Sequence, residues 1–240
     1  IKFGKGDFKL KSKDDLITLN SIKNNNLSGS TPDFLDGETA KNVRRFHISF
    51  EDYRATPLTS LKNLAQYLGI KNIYVKDESY RFNLNSFKVL GGTYAIARSL
   101  AEKLDRDIEN LNFDILKSRE VKEELGEITF ITATDGNHGK GIAWAASQLG
   151  HQAVIYLPDG SAQKRVDAVR EVGGKAIVTN LNYDDTVAYA VKKAEENKWH
   201  LVQDTAWEGY EKIPTWIMQG YTTMAEEIKL QLELEGVEEP

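Results

Sequence analysis

One loop of this chain combines glycines with side chains that could bind a small anion. Residues 134–141 read TDGNHGKG and follow an apolar segment that ends at Ala133. A glycine-rich turn between a strand and a helix lets backbone N–H groups approach an anion at the positive end of the helix. The lone His138 has no second histidine at metal-ligand spacing, so we expect no metal site. A tight turn that binds no ligand is the alternative.

The spacing of these glycines disfavours two familiar nucleotide-binding motifs. The dinucleotide fingerprint needs G-x-G-x-x-G, whereas the glycines here run G-x-x-G-x-G. The P-loop needs four residues between its first glycine and Gly-Lys, followed by Ser or Thr. Here two residues intervene, and Gly141 follows the lysine. A nicotinamide-dependent oxidoreductase is therefore a weak alternative.

A second loop carries a lysine that could act as a nucleophile. Residues 85–88 (NSFK) open a predicted helix, and Gly91 and Gly92 follow. A lysine near a helix N-terminus is electrostatically unfavourable, and desolvation there would favour the neutral amine that Schiff-base chemistry requires. Most lysines in such positions point to water, so Lys88 alone is modest evidence for catalysis.

Composition excludes several functional classes. The 240-residue chain has a net charge of -5, so nothing draws it towards nucleic acid or anionic lipid. It has no cysteine, which excludes disulfides, thiolate metal sites and cysteine nucleophiles. No apolar run is long enough to cross a bilayer, and residues 1–16 do not resemble a secretory signal. We therefore expect a cytoplasmic enzyme.

The apolar pattern predicts alternating strands and helices. Strands are expected at 70–75, 128–133, 153–157, 176–178 and 199–203, and helices at 38–46, 61–68, 87–104, 139–149, 164–172, 183–197 and 213–234. This alternation indicates parallel βαβ units, and hence an α/β fold. We expect residues 1–37 to form a polar extension and 105–127 a charged surface insertion. Ligands bind beyond the carboxyl ends of parallel strands, which points to the loops at 76–88, 132–141 and 204–209.

In combination, the motifs resemble those of the fold-type II pyridoxal-phosphate (PLP) enzymes. Residues 86–88 (SFK) with Gly91 and Gly92, and residues 134–139 (TDGNHG) about forty positions later, are similar in order and spacing. The segments 56–58 (TPL) and 75–78 (VKDE) fit the same family. Within it, the diaminopropionate ammonia-lyases are the most similar group. Four segments of this chain resemble segments of those enzymes: residues 77–88, the charged insertion that ends in 127–130, residues 204–210 (DTAWEGY) and the N-terminal extension with 44–47 (RRFH).

This resemblance implies a cofactor, an architecture and a set of site residues. It implies two open, mostly parallel sheets with helices on both faces, and PLP held by Lys88. Asn137 would bond the 3′-oxygen of the cofactor. The substrate carboxylate would be bound by the loop that contains Thr134, Asp135, Gly136 and His138. The implied domains are 1–91, 92–198 and 199–240, in a homodimer, and the last domain is incomplete because the phosphate-binding loop of the family would follow residue 240.

The resemblance implies three catalytic residues: Lys88 and two acids, Asp135 and Asp204. Related dehydratases carry a small neutral or hydroxyl residue where this chain has Asp135. An aspartate there could accept an α-proton from the face opposite Lys88, or pair with a β-ammonium group. Asp204 matches a position that acts near the site in the family, with a helix N-cap as an equally weighted alternative.

The resemblance therefore implies α,β-elimination of 2,3-diaminopropionate, a small amino acid, to pyruvate and two ammonia. The alternatives are a serine or threonine dehydratase of the same fold and a non-catalytic fragment that binds a small anion.

Overall fold

The structure is a computed structural model that describes residues 32–237 together with two short strands before them. These strands, β1 (Phe8–Lys9) and β2 (Thr18–Leu19), pair antiparallel. The predicted polar extension at 1–37 lies mostly outside the described residues. None of the helices in the described part combines the length and the apolar character that a membrane crossing requires.

The first half of the described chain is mainly helical. Its elements are α1 (Gly37–Ile48), β3 (Leu58–Ser60), α2 (Lys62–Leu68), β4 (Tyr74–Lys76), α3 (Lys88–Lys103), α4 (Phe113–Lys117) and α5 (Arg119–Leu125). Short 3-10 turns occupy Asp33–Leu35, Glu78–Asn83 and Ile108–Asn110. The strands β3 and β4 pair antiparallel, with Leu58 opposite Lys76.

The second half builds a parallel sheet. It consists of β5 (Thr129–Ala133), α6 (Asn137–Gln148), β6 (Gln152–Leu157), α7 (Gln163–Glu171), β7 (Lys175–Val178), α8 (Tyr183–Asn197), β8 (His200–Leu201) and the long α9 (Lys212–Leu234). The four strands run in the order β7-β6-β5-β8, and every neighbouring pair is parallel. The predicted α/β class is therefore confirmed.

Both faces of this sheet are covered, as its apolar strands require. On one face, α6 and α7 pack in the main core with Phe130, Ile155 and Leu157, all fully buried. On the other face, α8 covers a smaller cluster that includes Ile131 and Val154. The family resemblance also implied a second, mostly parallel sheet. In the described residues, the strands that precede the parallel sheet and belong to a helical region form only the short antiparallel pair of β3 and β4.

Glycines let the central helix α3 lie against two neighbours at short range. A Cβ atom on Gly141 of α6 would lie 2.9 Å from the Cα atom of Val89, and one on Gly220 of α9 would lie 2.5 Å from the carbonyl oxygen of Leu90. A Cβ atom on Gly91 would lie 2.6 Å from the Tyr221 ring. The position of α3 is thus set by backbone contacts on two sides.

The structure corrects several predicted boundaries. Helix α6 begins at Asn137 rather than at residue 139, and β8 contains two residues rather than five. The predicted strand at 70–75 is shifted to Tyr74–Lys76. The charged segment 105–127 contains two helices and buries four apolar side chains, so it is part of the core as well as of the surface: Leu111, Phe113, Leu116 and Val121.

Candidate active site

The strand order creates a crevice between β5 and β8. From β5 the chain proceeds outward to β6 and β7, and then returns to place β8 on the other side of β5. The loops that leave the carboxyl ends of β5 and β8 therefore diverge from each other. In open α/β sheets, ligands bind in the crevice between two such diverging loops. The loop after β5 contains residues 134–136, and the one after β8 contains Asp204. These are two of the loops that the sequence singled out.

Lys88, from the third such loop, is the first residue of α3. The turn before it is strained, because Phe82, Asn83 and Asn85 have φ values of 47°, 57° and 58°. Non-glycine residues adopt this left-handed conformation at a cost on the order of 1 kcal/mol each. Lys140 Nζ donates a hydrogen bond to the Leu84 carbonyl oxygen at 3.2 Å, which ties the turn to α6. The hydrogen bond from Lys140 thus helps to hold the backbone that precedes Lys88.

The Lys88 ammonium group pairs with Asp204. Its Nζ donates a hydrogen bond to Asp204 Oδ2 at 3.0 Å, with side-chain exposures of 32% and 19%. The aromatic rings of Tyr221 and Phe87 have their centroids 5.6 and 5.8 Å from Nζ. The Lys88 amine is therefore partly exposed and held by a carboxylate, rather than desolvated as the sequence led us to consider.

Asp204 is not a helix N-cap. The next helix, α9, begins after Glu211, and the Asp204 carboxylate faces Lys88 instead. Burial alone would raise the pKa of Asp204, but the His138 ring and the Lys88 ammonium group together lower it below its ordinary value. Burial in turn lowers the pKa of the His138 ring below its ordinary value. Asp204 is therefore an ionised partner of Lys88.

The loop after β5 is shaped by the Thr134 hydroxyl group. Its oxygen accepts hydrogen bonds from the amides of Gly136 at 3.0 Å and Gly139 at 3.3 Å. Gly136 has φ 152° and ψ -76°, a conformation essentially restricted to glycine. The amides of Asn137 and His138 lie in the first turn of α6, where helix geometry offers no intrahelical acceptor. Anion binding by these amides stays a prediction.

His138 is buried beneath the loop rather than open to a ligand through its ring. The side chain is 3% exposed, and its Nε2 atom lies 2.8 Å from the Val202 carbonyl oxygen. Its Nδ1 atom has no hydrogen-bond partner in the described structure and lies 3.9 Å from Asp204 Oδ2. The ring therefore joins the first turn of α6 to the segment that follows β8.

The predicted site residues line one cavity of about 370 Å³, and two further residues that the sequence did not single out line it as well. Its lining comprises Lys88, Thr134, Asp135, Gly136, Asn137, His138 and Asp204, together with Arg165 and Tyr183. Arg165 Nη1 donates a hydrogen bond to the Asp135 carbonyl oxygen at 3.0 Å. Both missed residues lie near the N-termini of helices that follow parallel strands, so an inspection of every strand-to-helix loop would have found them.

Between residues 32 and 237, no group of three or more His, Cys, Asp and Glu side chains is arranged to hold a metal ion.

Similarity to known proteins agrees with this arrangement. Residues 50–238 match the family model described as "Pyridoxal-phosphate dependent enzyme". The diaminopropionate ammonia-lyase of Escherichia coli (strain K12) is 54% identical over 222 residues, which cover 92% of this chain and 54% of that enzyme. The chain thus spans about half the length of that relative.

A solved structure and a more distant relative complete the comparison. The crystal structure of the Escherichia coli diaminopropionate ammonia-lyase in complex with D-serine superposes with a TM-score of 0.82 at 54% identity, covering 88% of this chain and 53% of that one. The biosynthetic L-threonine dehydratase of Haemophilus influenzae is 33% identical over 153 residues, 64% of this chain and 25% of that enzyme. On the family match over residues 50–238, this chain belongs to the pyridoxal-phosphate-dependent enzymes.

Proposed function

We propose that this chain forms the catalytic part of an ammonia-lyase that uses PLP to convert 2,3-diaminopropionate to pyruvate and two ammonia. The observation that carries the proposal is one cavity in which the Lys88 amine, the Asp204 carboxylate and the glycine loop at 134–138 meet. The similarity to the Escherichia coli diaminopropionate ammonia-lyase supports this choice of substrate.

The residues present fit the proposed cofactor. The Lys88 amine could take its aldehyde group, and the Asn137 amide, exposed in the same cavity, could bond its 3′-oxygen. The buried Nδ1 atom of His138 has no partner in the described part of the chain, so the polar environment beneath the site is incomplete without further groups. Bound through Lys88, PLP supplies an electron sink that makes the α-proton of an amino acid removable.

The chain's own residues would then bind the substrate and move protons. The amides of the first turn of α6 would hold the substrate carboxylate at the positive helix end. Lys88 Nζ would take the α-proton of the L-isomer and deliver a proton to the departing β-amino group. Asp204, which already accepts a hydrogen bond from Nζ, would keep this amine oriented between the two transfers.

Asp135 is proposed as the second acid of the reaction. Its side chain is exposed, and it lies in the same cavity as Lys88. A carboxylate there could accept the α-proton of the D-isomer or pair with the β-ammonium group of the substrate. It is poorly suited to a neutral hydroxyl leaving group, which favours diaminopropionate over serine or threonine. Ammonia release from 2,3-diaminopropionate compared with serine separates these two enzymes, and activity on serine alone would reject our choice.

The assignment of Lys88 is tested by replacing it with alanine in the full-length protein. We expect Lys88→Ala to lose the yellow covalent adduct with PLP that borohydride reduces, together with ammonia release. Lys103→Ala, at the exposed far end of the same helix, is the matched control and should keep both. Covalent cofactor in Lys88→Ala would defeat the central assignment. A wild-type protein that forms no adduct would favour a non-catalytic module that binds a small anion.

We further propose a cytoplasmic homodimer, in which residues 1–91, 92–198 and 199–240 contribute to two cofactor-enclosing domains. The continuous α3 crosses the first of these boundaries, so the helix itself would join the domains.

A further inference from the structure

The Nδ1 atom of His138 has no role in the proposed mechanism. The side chain lines the Lys88 cavity but is only 3% exposed, and among the described residues Nδ1 has no hydrogen-bond partner. Buried polar atoms in native proteins are almost always bonded, so an exception requires an explanation. The other ring nitrogen, Nε2, lies 2.8 Å from the Val202 carbonyl oxygen. Since a carbonyl oxygen only accepts, Nε2 carries a proton, and Nδ1 is the atom that can gain or lose one.

This nitrogen faces the carboxylate that holds Lys88. Asp204 Oδ2 lies 3.0 Å from Lys88 Nζ and 3.9 Å from His138 Nδ1, so one oxygen atom neighbours both nitrogens. At 3.9 Å the Asp204 and His138 atoms are too far apart for a hydrogen bond, as expected of two acceptors with no proton between them. One proton on either atom would turn the pair into a donor and an acceptor.

The Lys88 ammonium group must lose a proton before it can act as a nucleophile. An ammonium nitrogen has no lone pair, so it can bond an aldehyde carbon only after a proton has left it. The hydrogen-bonded carboxylate is a weak base for this purpose, because carboxyl groups have an ordinary pKa of about 3.9 and lysine side chains one of about 10.4. The ordinary pKa of imidazole, about 6.5, lies closer to that of lysine. A histidine next to the carboxylate therefore makes the released proton easier to hold.

We propose that His138 Nδ1 and the Asp204 carboxylate together accept the proton that Lys88 releases before its amine reacts, an inference that rests on the proposed function. The Nζ–H bond breaks and its electron pair stays on Nζ, while a new N–H bond forms at Nδ1. The proton passes through Asp204 Oδ2, the atom that neighbours both nitrogens. The positive charge moves from the ammonium group to the imidazole ring, so the net charge of the three groups is unchanged. The ring acts on Lys88 only through Asp204 and is thus a positioning group.

The charges that act on the His138 ring belong to these same two residues. Burial lowers the pKa of His138 most, Asp204 acts in the opposite direction, and the Lys88 ammonium group lowers the pKa further. From α8 and α9, the Tyr183 and Tyr221 hydroxyl groups lie close enough to Asp204 to be affected by its charge, and burial chiefly raises the pKa of each. Loss of the Lys88 charge should therefore favour the protonated ring, because the carboxylate then stabilises it without an opposing cation.

Nitrogen NMR of histidine in the full-length apo protein tests this coupling without the cofactor. We expect Lys88→Met to move the titration of the His138 ring to higher pH by roughly one pH unit or more, as the loss of a nearby unit charge does. Lys103→Met, at the exposed far end of α3, is the matched control. Its charge acts on His200, so the His138 titration should stay in place. An unchanged His138 titration in Lys88→Met would overturn the inference.

His138→Gln separates a proton-accepting role from a purely structural one. Glutamine can still donate to the Val202 carbonyl oxygen, but it has no group that takes up a proton in the neutral range. We expect the yellow covalent adduct with PLP to form more slowly at pH 7 by roughly tenfold or more, as the loss of a proton acceptor does. Raising the pH should restore most of the rate, because hydroxide then removes the Lys88 proton. A loss of the same size at every pH would make His138 a structural residue and the inference wrong.

The proposed function and this inference fail on different results. If the wild-type full-length protein takes up no PLP, the proposed function fails, and the role of the His138 and Asp204 pair fails with it. If the wild-type protein forms the adduct while the His138 ring does not respond to Lys88→Met, the proposed function stands and only the inference is lost.

Discussion

At the level of single residues, the two acids of the site differ in environment. The Asp204 side chain is 19% exposed and accepts a hydrogen bond from Lys88, so its charge is committed to that amine. Asp135 is exposed, and its described hydrogen bond uses the backbone carbonyl oxygen, which accepts from Arg165. Its carboxylate is therefore able to meet a substrate. We therefore propose that Asp204 positions Lys88 and that Asp135 contacts the substrate.

Replacing Asp135 with asparagine should affect the two stereoisomers unequally. If Asp135 takes the α-proton of the D-isomer, Asp135→Asn should lower kcat for D-2,3-diaminopropionate by roughly 10²-fold or more, as the loss of a general base does. The L-isomer, served by Lys88, should lose less. Steady-state ammonia release from each isomer measures the difference. Asp114→Asn, an exposed change in α4, is the control and should alter neither rate. Equal losses for the two isomers would contradict a face-specific role.

At the level of elements, α3 is positioned by the glycines of its neighbours. Gly141 of α6 approaches the backbone of Val89, next to Lys88, and Gly220 of α9 approaches Leu90. The glycine-rich sequence after β5 predicts anion binding, but Gly139 and Gly141 also let α6 pack closely against its neighbours. A Cβ atom on Gly139 would overlap the side chains of Thr134 and Ile155. The same loop thus offers amides to a ligand and sets the distance to Lys88.

An alanine at position 141 should separate α6 from α3. Its Cβ atom would lie 2.9 and 3.1 Å from the Cα and N atoms of Val89, which are backbone atoms that cannot rotate away. We expect Gly141→Ala to lower the free energy of unfolding by about 1–3 kcal/mol, as overpacking does. Urea unfolding measures this change.

Gly37→Ala provides the matched control for that experiment. A Cβ atom there would meet no atom within 4 Å, at the start of α1. Its effect should stay within about 0.5 kcal/mol, as for other surface changes. Similar stabilities of the two variants would show that α6 can shift at no cost.

At the level of the whole molecule, a buried ionic network joins segments that are far apart in sequence. Arg81, fully buried, donates to Glu227 at 2.7 and 2.8 Å and to Glu78 at 2.8 and 2.9 Å. Glu227, 1% exposed, also pairs with Lys76 and accepts from the Tyr53 hydroxyl group at 2.6 Å. The network links the strained turn before Lys88 to α9, the helix that carries Tyr221.

The charge of Glu227 should make stability depend on pH. Burial would raise the pKa of Glu227, but hydrogen bonds and charge from Arg81, with Lys76 and Tyr53, lower it from 4.5 to about 2. A lowered folded-state pKa contributes stability that is present above pH 4.5 and is lost as pH falls towards about 2. The wild-type free energy of unfolding should therefore decrease across this interval.

Glu227→Gln should lower stability at neutral pH and flatten this dependence. Loss of one partner from a buried ion pair costs about 3–5 kcal/mol, because Arg81 then lacks part of its compensation. Urea unfolding between pH 7 and pH 3 measures both effects. Glu233→Gln, exposed on the same helix, should change stability by less than about 0.5 kcal/mol. A variant that keeps the wild-type slope would remove Glu227 as its source.

Local signals account for what was predicted well. Helix α8 spans the predicted residues 183–197, since the Asn182 side chain caps it by accepting from the Asp185 amide at 2.9 Å. The start of α6 was placed two residues late, because Asn137 and His138 carry no apolar pattern. Strand β8 is shorter than predicted. At Gln203 the side-chain oxygen, rather than a backbone carbonyl group, accepts hydrogen bonds from the Thr132 hydroxyl group and the Ala133 amide.

The sequence by itself determined the α/β class, because apolar periodicity is a local property that short segments express. Its resemblance to a family of enzymes also singled out the lysine at position 88 and the loop at 134–138, whose roles stay predictions. Tertiary structure alone decided that Asp204, 116 positions from Lys88, would be its partner, and that Arg165 and Tyr183 would line the same cavity. The physical reason is the strand order. Only the return of β8 to the free edge of β5 brings these distant side chains together, and no local pattern encodes which edge a strand joins.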